Sequence, residues 1–199
     1  MVVSWTQHRF AGGNLALDTA NTVVLRGQPE RTFDRFADPQ EIVRFAKAAS
    51  TFRAAELGTR PLAANASDDV REVLVDIREA TDRLFRGSAR SGQVDAGHLA
   101  SFLSACSRGL ETHSGALGGS VRRFGDPSAP ITIEAAVAVS ALSLLSSDML
   151  ARIRICPNCD WLFLDRSRNS SRLWCDMAVC GNRQKAKRHY RRNGGGEGA

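Results

Sequence analysis

Cys156-Pro157-Asn158-Cys159-Asp160-Trp161-Leu162-Phe163-Leu164-Asp165, continued by Trp174-Cys175 and Cys180-Gly181-Asn182-Arg183, holds four of the five cysteines of this 199-residue chain. Their spacing is C-x2-C, then 15 residues, then C-x4-C. Two thiolates three positions apart reach one ion from a single tight turn. A hairpin of the intervening length brings the second pair back to the same ion. Four sulfur ligands, Cys156, Cys159, Cys175 and Cys180, suit one closed, tetrahedral Zn2+ site with a structural role. The alternatives are two disulfides or four idle thiols. The opening residues carry no secretory pattern, so reduced thiols and bound metal are the expectation.

The residues between the pairs agree. Trp161, Leu162, Phe163 and Leu164 are apolar and β-prone, 165–171 are polar and turn-like, and Leu173-Trp174 are apolar again. This pattern predicts a short hairpin whose aromatics cover the metal. From Gln184 to Arg192 there is no Pro or Gly, which predicts a helix starting near Gly181. Knuckle, hairpin and helix make a treble-clef-like finger. So few apolar residues need metal binding for their stability.

This segment resembles the bacterial CGNR zinc-finger proteins. The resemblance rests on the two cysteine pairs, Trp161-Leu162-Phe163-Leu164-Asp165, Ser167-Arg168-Asn169, Trp174-Cys175 and Cys180-Gly181-Asn182-Arg183-Gln184-Lys185-Ala186-Lys187-Arg188. Leu173 stands where that family commonly has a second arginine. The resemblance implies an N-terminal helical domain, ABATE, and a stress-induced transcription regulator. Leu15-Ala16-Leu17-Asp18 with Asn21-Thr22 is similar to that domain more loosely, as is the apolar helix before the finger. Thr19-Ala20 stands where a larger apolar pair is usual.

The expected fold is mainly α. A helical, bundle-like domain covers 1–151, the zinc finger 152–193, and a disordered tail 194–199. Asn14 caps a first helix. Asp38-Pro39-Gln40-Glu41 reads as N-cap, first helical position and capping box for a helix with Ile42, Phe45, Ala46, Ala49 and Phe52 inward, ending near Gly58. Ser67 caps a helix that Gly87 is expected to end, with Glu79–Arg83 and Asp82–Arg86 pairs on its wet side. A weaker helix from about Asp95 to Gly109 turns Leu99, Phe102, Leu103 and Cys106 inward. Ser120–Phe124 and Ile131–Ile133 are expected to pair as a small hairpin. The most apolar helix then runs from Glu134 to about Arg152. It meets the knuckle without a Gly/Ser linker, so the finger is expected to be docked rather than tethered.

Charge is unevenly placed. Residues 152–192 hold 11 Lys+Arg and 3 Asp+Glu, a balance of +8, whereas the whole chain carries +6. A basic module beside a near-neutral domain points to a polyanion. The candidate nucleic-acid contacts are Arg166, Arg168 and Arg172 at the hairpin tip, and Asn182, Arg183, Lys185, Lys187, Arg188 and Arg191 on the helix. If about 6 cations meet phosphates, log K falls with log salt at a slope near −5. Asn182 and Arg183 equally suit turn-shaping around the metal, and Arg183 suits pairing with Asp165 or Asp176. Trp161 and Trp174 fit a core role better than base stacking.

DNA is the preferred partner, through a regulator whose helical part senses a signal, such as a small molecule, or forms a homodimer. The competing reading is non-specific RNA binding or a protein-interaction module around a purely structural metal. Asp18 and Asn21 lie three apart on one helical face, which fits either a ligand pocket or a structural hydrogen-bond pair. No Ser/His/Asp set, paired carboxylates or phosphate loop supports an enzyme. Cys106 reads as a small core residue. The longest uncharged apolar-rich run, Ala135–Ser147, has 13 residues against the roughly 20 needed to span a bilayer. A cytoplasmic protein is expected.

Overall fold

The computed structural model describes residues 3–58, 60–111 and 130–193, without the side chains of 188, 189 and 191–193. The first helix, α1 (Leu15–Ala20), is short and wholly buried. Asn14 starts it by accepting from the Ala16 and Leu17 amides. After it come β1 (Val23–Val24) and β2 (Phe33–Asp34), an antiparallel pair. Next are α2 (Gln40–Phe52) and α3 (Ala54–Leu57), then β3 (Leu62–Ala63). Two longer helices follow, α4 (Asp68–Ser91) and α5 (Ala96–Leu110), and then β4 (Ile131–Thr132) and α6 (Ile133–Ser143). The helix α7 (Ser147–Leu150) leads into the finger, which contains β5 (Ile153–Ile155), β6 (Leu162–Leu164) and α8 (Asn182–Asn193).

The core forms where α1 packs between α4 and α6, and α5 packs on both of these. Leu15, Leu17, Leu74, Ile77, Phe85, Phe102, Ile133 and Val137 are all buried there. The α6 helix is buried nearly all round, through Ala135, Ala136, Val137, Ala138 and Ala141. Its small side chains let neighbouring helices approach from several sides.

Several sequence expectations change. Glu41 makes no capping box: its buried carboxylate accepts from Val3 N and Trp5 Nε1 and pairs with Arg44, tying the N-terminal segment to α2. Asp38 does accept from the Gln40 amide. The stripe of α2 ends at Ala49, and Phe52 is exposed. Gly87 does not stop α4, which continues to Ser91 and ends at Gly92 in the left-handed region (φ 75°). Glu79 turns to Arg26 and Arg78 rather than Arg83. Asp82–Arg86 forms, but nearly buried instead of wet. Leu103 faces out from α5. The helix expected from Glu134 to Arg152 breaks after Ser143. Ile131–Thr132 pairs in parallel with Leu62–Ala63, while the proposed Ser120–Phe124 partner lies outside the described residues.

The finger shares the helical core. In the antiparallel β5–β6 pair Ile153 faces Leu164 and Ile155 faces Leu162. Ile153, Leu162 and Leu164 join the core of the helices, whereas Trp161 and Phe163 pack on the cysteines. The two-residue period of a strand thus divides one hairpin between two hydrophobic clusters.

Candidate metal centre and cationic face

The four sulfurs Cys156, Cys159, Cys175 and Cys180 all lie within 4.8 Å of one another. Cys159 and Cys175 Sγ are 3.5 Å apart, and Cys175 and Cys180 Sγ 3.6 Å apart. A tetrahedral ion with metal–sulfur distances of about 2.3 Å sets its sulfurs about 3.8 Å apart. A disulfide needs about 2.05 Å. The thiols are therefore free and arranged as a four-sulfur metal site. Hydrogen bonds from the Cys159 and Cys175 thiols hold Cys156 far below the usual thiol range, and those same bonds push Cys159 and Cys175 up. A bound cation would supply the charge that lets neighbouring thiols ionise together.

Local backbone bonds build the site. In the knuckle, Cys156 N donates to Trp161 O, and Asp160 N donates to Cys156 O. Asp160 adopts a positive φ of 62° to close that turn. Of the second pair, Cys180 sits on a π-helical turn over Met177–Gly181, capped by Asp176, whose carboxylate accepts from the Ala178 and Val179 amides, and Cys175 immediately precedes that cap. A Cβ on Gly181 would lie 2.3 Å from Met177 Sδ, so a larger residue there would have to displace the exposed Met177 side chain. Helix α8 starts directly from this turn, and Gln184 Nε2 donates to Asn158 Oδ1 of the knuckle at 2.9 Å. Asp165 shapes the hairpin tip by accepting from Ser167 N and Arg172 N. Burial opposes its ionisation, but hydrogen bonds from Ser167 and Arg172 and the nearby Arg154 charge outweigh it and hold the carboxyl at about 2.

The expected nucleic-acid residues divide into two groups. Arg166 donates to Gly13 O. Arg172 donates to Trp174 O and Cys175 O, with its guanidinium 5.4 Å over the Phe163 ring. Asn182 donates to Ala178 O, the turn-shaping role. Arg168, Arg183, Lys185 and Lys187 are exposed and have no ion-pair partner among the described residues. Asp165 and Asp176, the carboxylates considered for Arg183, bind elsewhere: Asp176 takes His8. Arg188 and Arg191 lie on α8, with side chains outside the described set. Trp161 is buried in the finger core.

Asp18 and Asn21 act as two backbone clamps rather than as one pocket. Asp18 is fully buried, accepts from Gly12 N at 2.8 Å and pairs with Arg53 at 2.5 Å. A Cβ on Gly12 would fall 2.7 Å from Asp18 Oδ1, so the loop closes only with glycine there. Burial pushes the Asp18 carboxyl up to about 7 against the opposing pull of Arg53. Gly12 O in turn accepts from Leu164 N. Asn21 makes two bonds to one residue of β6: its Nδ2 donates to Leu162 O at 2.9 Å, and its Oδ1 accepts from Leu162 N at 3.0 Å. Its side chain imitates a neighbouring strand.

Other anchors left no sequence signal. His8 bonds Asp176 at 2.8 Å and stacks on Trp161 with ring centres 5.4 Å apart. The Arg35 guanidinium covers Trp161, and Arg86 binds the carbonyl and carboxylate of Asp160. Burial pushes the Cys106 thiol up to about 12, which suits an inert core residue. No helix among the described residues is long and apolar enough to cross a membrane.

Fold and site together define a mainly helical domain bearing a four-cysteine finger. Two family models match. ABATE, described as "Putative stress-induced transcription regulator", matches 13–148, and the CGNR zinc finger matches 152–193. The chain belongs to the ABATE family and carries a CGNR zinc finger at its C-terminal end. Neither is an enzyme family. No curated protein matches the chain.

Proposed function

We propose that this protein is a DNA-binding transcription regulator whose finger is held by one structural Zn2+ and grips duplex DNA. Cys156, Cys159, Cys175 and Cys180 would hold the ion. Four thiolates leave no open coordination position, so the ion acts as a clamp rather than a Lewis acid. The helical domain carries the finger and is the part that senses a signal or dimerises. One observation supports the nucleic-acid reading above all. Arg183, Lys185 and Lys187 sit exposed and without carboxylate partners among the described residues, on a helix fixed to the metal cluster at its start. A rigid helix with an unneutralised positive field suits phosphate contact.

A salt titration of duplex binding tests this. The four described free cations, Arg168, Arg183, Lys185 and Lys187, predict a slope of log K against log salt of about −3.6, steepened by about 0.9 for each further cation engaged. Binding to a preferred duplex should exceed binding to random duplex by roughly 1,000-fold or more. Equal binding to duplex, single strands and structured RNA would instead establish a non-specific polyanion binder. Absence of salt-dependent binding would end both readings.

A further inference from the structure

A groove of about 460 Å3 lies where α7 meets the hairpin tip. Three arginines line it, Arg152, Arg166 and Arg168, with one carboxylate, Asp148. Two of the guanidiniums are already oriented. Arg152 Nη1 donates to the carbonyls of Asp165 and Ser167, and Arg166 donates through Nε and Nη2 to Gly13 O. Carbonyls fix a guanidinium in place without neutralising it. Arg152 keeps Nε and Nη2, and Arg166 keeps Nη1, without partners among the described residues. Arg168 adds an exposed guanidinium with no ion pair there.

The rest of the lining has complementary chemistry. Ser146 precedes α7, yet its hydroxyl does not cap that helix. The half-buried Met149 supplies an apolar edge beside the charges, and Leu164 lies at the floor with its side chain covered. The groove falls within the usual size of small-molecule sites, about 300–1,000 Å3. Pre-oriented guanidiniums match phosphate oxygens in paired N–H···O bonds, and here no ordering of long side chains is needed for two of the three.

We propose that this groove binds a phosphate ester of the size of a mononucleotide. Its phosphate meets Arg152, Arg166 and Arg168, and its body lies beside Met149. Such a ligand bridges the last helix of the helical domain and the finger tip. The same chemistry is offered by a free nucleotide and by the terminal phosphate of a nucleic-acid strand. The strand version rests on the proposed function, and the free-nucleotide version stands without it.

The experiment uses the full-length, metal-loaded protein and calorimetric titration. The probes are adenosine 5′-monophosphate, adenosine, and a short single strand with or without a 5′-phosphate. Each is tested on the wild type, Arg168→Glu and Arg90→Glu, the latter an exposed cation on α4 outside the groove and the finger. The expected result is binding that requires the phosphate, weakened about tenfold or more by Arg168→Glu and left within about twofold by Arg90→Glu. Phosphate-dependent, Arg168-dependent binding of the strand but not of the nucleotide also supports the groove and names the strand as its source. Nucleotide binding in a protein that fails to bind duplex DNA keeps the groove and removes the regulator reading. Equal weakening by both variants would reduce the effect to diffuse attraction and overturn the proposal. So would equal binding of the phosphorylated and unphosphorylated probes, or no binding of either phosphate probe at about 10 mM.

Discussion

The helical domain and the finger divide their arginines differently. Arg26, Arg44, Arg53, Arg78, Arg86 and Arg108 in the helical domain are paired with carboxylates. Arg35 and Arg71 there are bound to carbonyls, and Arg83 and Arg90 are exposed without an ion pair among the described residues. In the finger one arginine, Arg154, faces a carboxylate, Asp165, among the described residues. Arg152, Arg166 and Arg172 are bound to carbonyls, and Arg168, Arg183, Lys185 and Lys187 face solvent. Pairing removes the external field of a cation and commits it to the fold. A carbonyl fixes the side chain and leaves the charge in place. The helical domain has therefore committed many of its arginines to ion pairs, and the finger leaves most of its cations unneutralised.

Metal removal tests the finger half of this contrast most severely. Chelation or Cys175→Ser should abolish nucleic-acid binding and expose 152–193 to proteolysis, because structural zinc contributes on the order of 10 kcal/mol to isolated fingers. The melting temperature of the helices should also fall, since Ile153, Leu162 and Leu164 belong to their core. Unchanged helical melting, followed by circular dichroism, would show that the two clusters are energetically separate.

Asn21→Leu attacks the joint between the regions. It leaves Leu162 N and O without the bonds that Asn21 supplies, at about 1–3 kcal/mol each. Competition with a chromogenic chelator should show weaker metal retention, although Asn21 touches no cysteine. Wild-type retention would make the clamp irrelevant to the site.

A matched pair of neutralisations sharpens the comparison. Arg53→Gln strips the buried Asp18 of its partner and should cost about 3 kcal/mol of stability in urea unfolding. Its duplex binding per folded molecule should stay near wild type. Lys187→Gln should do the reverse, leaving the unfolding midpoint unchanged and reducing the salt slope by about 0.9. If both variants lose stability alike, the free cations of α8 are structural after all.

The smallest expected effect is in pH. Burial raises the Asp18 carboxyl on folding from its ordinary value of 3.8 to about 7. Its contribution to stability is therefore fullest below about pH 4 and is lost as pH rises through 7. The stability difference between the wild type and Asp18→Asn should shrink from pH 5 to pH 8. A flat difference would mean that Arg53 keeps Asp18 ionised throughout.

Much of this was legible in the chain, and for local reasons. Cysteine spacing within 25 residues fixes which sulfurs can share an ion. The continuous apolar, β-prone run Trp161-Leu162-Phe163-Leu164 signals a strand, and Ser67 and Asp95 announce helices through bonds to amides three residues on. Gly87 misled because glycine is tolerated inside a long helix whose packing outweighs its propensity, at about 1 kcal/mol. The Glu41 capping box failed because Trp5 and Val3, far away in sequence, offered the carboxylate buried donors.

Spacing and periodicity report on groups that share a turn or a face, so the chain alone named the metal ligands, the hairpin and the basic character of the finger. They carry no information on which backbone will lie beside which side chain after folding. The clamp of Asn21 on Leu162, the bond from Leu164 N to Gly12 O and the anchoring of Arg166 on Gly13 O all join segments more than 100 residues apart. Those pairings exist only once the helices have packed and brought the first 22 residues against the finger.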